Sequence, residues 1–244
     1  MHAMGGLDEY TYMDCKEGFE HSYEKGVRVF EADVIKTSDG KLVLRHDWSM
    51  PLGQKDDEDD RAMSLEEFKS KKIYGKYTPL SFDDLCVLLK AYPDAYVLID
   101  DKECLKRLKT KEEYQEQYVE VARAQSAEEV LSRLIMQVYW QGQHKIMQEV
   151  GVFSNYIYDC YGSVSVKRVQ KIIDFCSEKV IEAITIRKDQ WTSEKQAMLD
   201  KANIKLFLYS IDYGKESIDN DVEAEKYLSQ GVQGRTVHFI PSKE

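Results

Sequence analysis

The stretch Val27-Arg28-Val29-Phe30-Glu31-Ala32-Asp33-Val34-Ile35-Lys36-Thr37-Ser38-Asp39-Gly40-Lys41-Leu42-Val43-Leu44-Arg45-His46-Asp47 decides how the rest of the chain is read. Its first nine residues form a β-branched and aromatic run, the composition of a strand covered on both faces. Strand side chains alternate with a period of two, so Glu31 and Asp33 share a face, roughly 6.6 Å apart along the strand. Asp39-Gly40 is a strong hairpin signal, and it folds a second short strand, Lys41 to His46, back over the first. Burying a carboxylate without a partner is expensive, so two of them on one face of an apolar strand point to a bound cation. His46, at the end of the returning strand, is carried to the same end of the fold.

Outward from this stretch, short apolar runs alternate with longer amphipathic ones, the pattern of repeated βα units around a parallel sheet. The expected strands are 27–35, 95–101, 133–139, 155–158, 182–186, 205–210 and 235–239, with the hairpin strand in addition. The expected helices are 14–25, 81–91, 111–129, 141–150, 165–178, 193–202 and 219–230. Ser81 followed by Asp84 reads as a helix N-cap. Seven strands favour a closed TIM (β/α)8 barrel over an open sheet, the eighth (first in order) ending near His2. The extra hairpin strand then follows the second barrel strand, and a longer insertion occupies about 47–80. Within the insertion, Lys55 to Arg61 holds five acidic residues in a row but lacks the alternating pattern of a calcium loop. It reads as a solvated loop.

At 244 residues with 43% hydrophobic composition and four prolines, the chain is expected to form one domain, 1–244. The formal charge of −10 argues against a nucleic-acid surface. The five cysteines lack CxxC spacing and read as reduced, buried thiols. No apolar run reaches 18 residues, which makes a soluble chain the expectation and leaves its compartment unspecified. No GxGxxG or GxxxxGK[ST] follows a strand, which removes dinucleotide and P-loop readings.

Ile99-Asp100-Asp101-Lys102 closes the next strand, with Asp100 and Lys102 on one face and Asp101 on the other. Glu31, Asp33 and Asp100 thus converge at the C-terminal mouth of a barrel, where active sites of this fold lie. Oxygen-only ligation selects one hard divalent cation, Mg2+ or Ca2+. His2, followed by Gly5-Gly6, and His46 complete the set as an acid/base pair, since imidazole titrates near neutral pH. Gln137, Tyr139 and Trp140, at the end of another strand, are candidates for the substrate-pocket wall. His238 reads as structural, and His21 and His144, on helix faces among polar residues, are assigned no role.

Taken together, His2-Ala3-Met4-Gly5-Gly6, Phe30-Glu31-Ala32-Asp33-Val34, Thr37 to Asp47 and Ile99 to Lys102 resemble the glycerophosphodiester phosphodiesterase family of the phospholipase C-like phosphodiesterase superfamily. Gly231 to Ile240 is similar to that family's last strand. The resemblance implies a TIM barrel, one divalent cation, and hydrolysis of a small-molecule phosphodiester by two histidines. It assigns His2 and His46 to catalysis, and Glu31, Asp33 and Asp100 to the metal. Asp100 is shorter than the family's usual glutamate, a feature shared with the sphingomyelinase D branch. Ala3 stands where the family has arginine, which leaves Lys102 as the cation for the phosphate, and Asp14 stands where it has asparagine. The alternatives are phospholipase D-like or C-like cleavage of a lipid, with membrane contact only in that case, and a non-catalytic barrel that binds a phosphorylated ligand.

Overall fold

The structure, a computed structural model, describes residues 1–8, 10, 12–49, 61–209, 229 and 234–235. Helix α1 (Lys16–Glu24) leads into β1 (Val29–Lys36), which turns back as β2 (Leu42–Leu44); α2 (Leu65–Ser70) and α3 (Phe82–Ala91) follow. The chain then alternates. Strand β3 (Tyr96–Asp101) runs into α4 (Lys102–Lys106) and α5 (Lys111–Tyr114), and α6 (Val121–Ala124) precedes β4 (Leu134–Val138). Next come α7 (Gln141–Val150), β5 (Asn155–Asp159), α8 (Val166–Lys179), β6 (Ala183–Arg187), α9 (Ser193–Lys201), β7 (Lys205–Tyr209) and β8 (Gly234–Arg235).

The strands form one sheet in the order β2-β1-β3-β4-β5-β6-β7-β8. Only β2 is antiparallel; the other seven pair in parallel. Apart from β2, spatial order follows chain order without a reversal. A doubly wound sheet needs such a reversal, whereas a barrel does not. Met1 lies beside β1 at the place where the sequence expects a first strand to end. Its amine donates to Val29 O at 2.6 Å, and its carbonyl accepts from Glu31 N–H at 2.6 Å, the bond pair a parallel neighbour makes.

Local sequence explains most element ends. Ser81 caps α3 by accepting from Asp84 N–H, and the Asp84 carboxylate accepts from Ser81 N–H in return, the reciprocal box expected there. At the hairpin, Gly40 adopts φ +82° and Thr37 bonds Lys41 in both directions. The 111–129 segment departs from the expected single helix, because a π-helical turn spans Gln115–Glu120 between α5 and α6. Spacing of apolar residues does not reveal such a widened turn. The insertion holds a small second core of Met13, Ile35, Val43, Met63, Phe68, Ile73 and Tyr77 against the hairpin. The acidic run at 56–60 lies outside the described residues, as do His238 and nearly all of the expected 219–230 helix and 235–239 strand.

All five cysteines are buried and free. One expectation fails: His144, assigned to a polar helix face, is buried, with its ring edge-on to Tyr156 and Phe175 from α8. The apolar face of α7 is wider than its sequence shows, because α8 covers it. No helix among the described residues is long and apolar enough to cross a membrane.

Candidate active site

Parallel pairing of β1 with β3 puts Asp33 opposite Asp100. Lys102, the first residue of α4, turns its ammonium back between them, 2.6 Å from Asp33 Oδ1 and 2.5 Å from Asp100 Oδ2. The register of two strands and the tight strand-to-helix turn therefore build the centre of the site. Asp33 is fully buried and its second oxygen, Oδ2, accepts no hydrogen bond. Its backbone is pinned as well: Asp33 N–H donates to Asp14 Oδ1 at 3.3 Å and its carbonyl accepts from Arg45 N–H at 2.9 Å.

Glu31, two residues earlier on the same face, accepts Ala3 N–H at 2.7 Å and lies 3.7 Å from His2 Nε2. Gly5 makes this approach feasible. Its φ is +104°, and a Cβ there would meet Ser22 Oγ at 2.4 Å, so only glycine lets the His2–Met4 turn lie this close to α1. His2, Glu31 and Asp33 each present a ligand atom within 4.8 Å of the other two. His46, two residues beyond β2, forms a 2.5 Å hydrogen bond from Nδ1 to Asp47 Oδ2, and Asp47 in turn accepts Ser49 N–H. The Tyr12 ring stands between the histidines, 4.8 Å from His2 and 6.1 Å from His46, centroid to centroid.

The charges are unbalanced. Burial raises the Glu31 carboxyl well above its ordinary range, and the charge of Asp33 adds to the effect. Asp100 is also raised, by burial first, although Lys102 opposes this. Burial pushes Asp33 up too, but Lys102 foremost, then His2 and His46, outweigh it and hold Asp33 below its usual value. Burial disfavours the charged Lys102; Asp33, Asp100 and Glu31 more than reverse this and keep it protonated. Asp14, behind Asp33, is raised by burial and by Asp33. One lysine thus faces more buried carboxylate than it can neutralise.

These groups open on a cavity of about 260 Å³ lined by His2, Glu31, His46, Asp100, Lys102, Gln137 and Tyr139. Tyr139 OH donates to Asp100 Oδ1. Gln137 Nε2 donates both to Tyr139 OH at 3.0 Å and to Asp159 Oδ2 at 2.8 Å. Trp140 is not part of this wall; it is the extended N-cap residue before α7, with its ring 6.0 Å from Tyr139. Asp100 is engaged by Lys102 and Tyr139, apart from the trio of His2, Glu31 and Asp33. Sequence reasoning missed Tyr12, Asp159, Tyr161, Thr185 and Tyr209, which line the cavity too. The signal for Asp159 was present: it is an acid at the C-terminal end of a strand, as Asp100 is.

The sequence profile of the glycerophosphoryl diester phosphodiesterase family matches residues 8–212. No curated protein matches the chain. Among solved structures, one from Galdieria sulphuraria assigned to the glycerophosphodiester phosphodiesterases is similar at TM-score 0.72 and 15% identity, over 97% of this chain and 91% of that one. A Parabacteroides distasonis glycerophosphoryl diester phosphodiesterase gives TM-score 0.68 and 15% identity, over 97% and 80%. An Oleispira antarctica phosphodiesterase in complex with the product sn-glycerol-3-phosphate gives 0.68 and 14%, over 92% and 86%. At such identities these likenesses speak to the fold, which is the TIM barrel; the profile match speaks to kinship. By that match over most of its length, the chain belongs to the glycerophosphoryl diester phosphodiesterase family and is a phosphoric diester hydrolase of the TIM-barrel class.

Proposed function

We propose that the chain hydrolyses a glycerophosphodiester, or a similar alkyl phosphodiester, to an alcohol and a phosphomonoester, using His2 and His46 and one divalent cation. The observation that carries this reading is the excess of buried carboxylate over lysine in a cavity that both histidines line. Asp33 Oδ2, buried and without a donor, fits a ligand for a hard cation. Glu31, Asp33 and Asp100 are the residues that would hold Mg2+ or Ca2+, with the His2 imidazole beside the first two. When bound, such an ion supplies electrostatic stabilisation of charge growing on the phosphoryl oxygens.

The residues of the chain do the rest. The Asp47 carboxylate takes the Nδ1 proton of His46 as its hydrogen bond, which leaves Nε2 unprotonated in the neutral ring and suited to accept a proton from the attacking water. His2 then donates a proton to the departing alkoxide. Lys102 holds a phosphate oxygen, and Gln137 and Tyr139 orient the ester. His46→Ala is expected to lower turnover of glycerophosphodiesters by on the order of 10² to 10⁴. Turnover within a few-fold of wild type contradicts the assignment.

A second reading, cleavage of a (lyso)phospholipid, is favoured by the rim. Leu105 and Leu108 after β3 are each 42% exposed, and Tyr161 after β5 is 64% exposed, an apolar edge suited to an acyl chain. Sedimentation with phosphatidylcholine vesicles, reduced in a Leu105→Ser/Leu108→Ser variant, is the expected sign of it.

A further inference from the structure

Tyr12 stands between the two histidines, and neither the cation site nor the hold on the phosphate uses it. Its ring meets the His2 ring at 4.8 Å and the His46 ring at 6.1 Å, centroid to centroid, with 76° between the planes in both cases. It lines the cavity together with both of them. Tyr10, two residues earlier, stacks on Tyr74 at 3.8 Å and packs against the small second core, the usual place for an aromatic ring. Tyr12 belongs to neither hydrophobic core. Packing therefore does not account for its position.

The backbone gives a second sign. Tyr12 has φ +55°, in the left-handed region that a bulky side chain rarely enters. Asp14 has φ +41°, its N–H donates to Ala3 O at 2.9 Å, and Lys16 N–H donates to Thr78 O at 3.1 Å. The chain after Tyr12 is thus tied both to the residue that follows His2 and to the insertion. These ties hold a conformation that a tyrosine would otherwise leave. Strained residues over-determined in this way gather at active sites.

His2 Nε2 lies 3.7 Å from Glu31 Oε2, and His46 Nδ1 bonds Asp47 Oδ2. A polar contact at a ring nitrogen fixes where that atom lies more firmly than how the ring tilts about it, whereas an edge-to-face contact acts on the tilt. In an in-line displacement, proton acceptor and proton donor serve opposite sides of the phosphorus. Each imidazole therefore has to keep its tilt and its distance from the other. We infer that Tyr12 is a positioning residue: its ring, lodged between His2 and His46, fixes the orientation of both imidazoles. This rests on the proposed hydrolysis, with the two histidines as acid and base, and adds the residue that holds them.

The test compares Tyr12→Asn and Tyr12→Gly, which remove the ring at a φ both residues tolerate, with Tyr12→Phe, which keeps it. Two esters are used: glycerophosphocholine, whose alkoxide needs a proton to leave, and the 4-nitrophenyl ester of glycerophosphate, whose phenolate does not. Both ringless variants are expected to lose about 30-fold or more in kcat on glycerophosphocholine but only about fivefold on the nitrophenyl ester, which escapes the acid's share of the loss. KM should stay within about twofold, because the ring acts on the chemistry and not on binding. Tyr12→Phe should match wild type within about twofold on both esters. In protein with 13C-labelled histidine, the ring-proton signals of His2 and His46, and not that of His144, should move in Tyr12→Asn and stay in place in Tyr12→Phe, a reading that needs no turnover. Equal losses on the two esters, ringless variants as active as wild type, Tyr12→Phe as impaired as Tyr12→Asn, or His2 and His46 signals that do not move overturns the proposal. Wild type that turns over neither ester, while both signals respond as expected, overturns the hydrolysis reading and not the ring's hold on the histidines.

Discussion

Asp100 and Asp101 are neighbours on β3 whose side chains leave the strand on opposite faces, and each meets a lysine. Outside the barrel, Asp101 is satisfied: Oδ2 accepts from Lys109 Nζ and from Tyr118 OH at 2.7 Å, and Oδ1 accepts Glu103 N–H at 3.1 Å. Lys109 is fully buried, with its ammonium 5.3 Å from the Tyr118 ring centroid and 5.6 Å from that of Tyr114. Inside the mouth, Asp100 and Asp33 share Lys102, Glu31 stands close by, and one oxygen of Asp33 has no donor. One lysine per carboxylate with every oxygen bonded makes a structural clamp, here tying the α4–α5 connection to β3. Surplus carboxylate marks the place where we propose a divalent cation binds. Two ion pairs one residue apart thus differ in function because their charge balance differs.

The largest expected effect separates the two regions by activity. Asp33→Asn is expected to lower phosphodiester turnover by about 10³ or more, since the cation site loses a charged ligand. Its melting temperature in chelator should fall by no more than a few degrees, because the Asp33–Lys102 pair is lost but Lys102 keeps Asp100 as its partner. A fall of many degrees would place Asp33 with the structural group.

Lys109→Met should do the reverse. Removing one partner of a buried pair is expected to destabilise by about 3–5 kcal/mol, read by urea unfolding, with kcat per folded molecule near wild type. Asp101→Leu combined with Lys109→Met should recover most of the loss, because no unpaired charge then remains. Equal instability of the double variant would remove the clamp from the account.

Added Mg2+ or Ca2+ should stabilise the wild type by about 2.7 kcal/mol at a hundredfold excess over its Kd, and Asp33→Asn much less. The midpoint of thermal unfolding with and without chelator measures both.

The smallest effect concerns His144, away from the mouth. Both ring nitrogens lack hydrogen-bond partners, and burial, with Lys179 adding, lowers its pKa below the model-peptide value of 6.5. The unfolded chain then takes up this proton first, so stability present above that pH declines as pH falls through it. His144→Phe should flatten this part of the profile, a change of about 2–4 °C in melting temperature per kcal/mol.

The sequence makes Glu31, Asp33 and the hairpin legible because a period of two and an Asp-Gly turn are local rules. Among the described residues, the six strands expected at 27–35, 95–101, 133–139, 155–158, 182–186 and 205–210 appear within a residue or two of their expected ends for the same reason. Lys102 is legible as part of the mouth only in outline: it belongs to α4, not to β3, and its ammonium reaches Asp33 through the strand-to-helix turn. The Asp101–Lys109 clamp and the burial of His144 depend on what packs over them, which no local pattern encodes. Asp159 shares its position type with Asp100, yet only the closing of β4, β5 and β6 side by side brings it to Gln137 and Thr185.

The most direct test of the central claim is turnover of glycerophosphodiesters by the purified chain in chelator, followed by separate return of Mg2+ and Ca2+. Turnover that vanishes in chelator and returns with one of the ions, releasing the free alcohol and a phosphomonoester, is the predicted result; turnover that chelator leaves unchanged contradicts it.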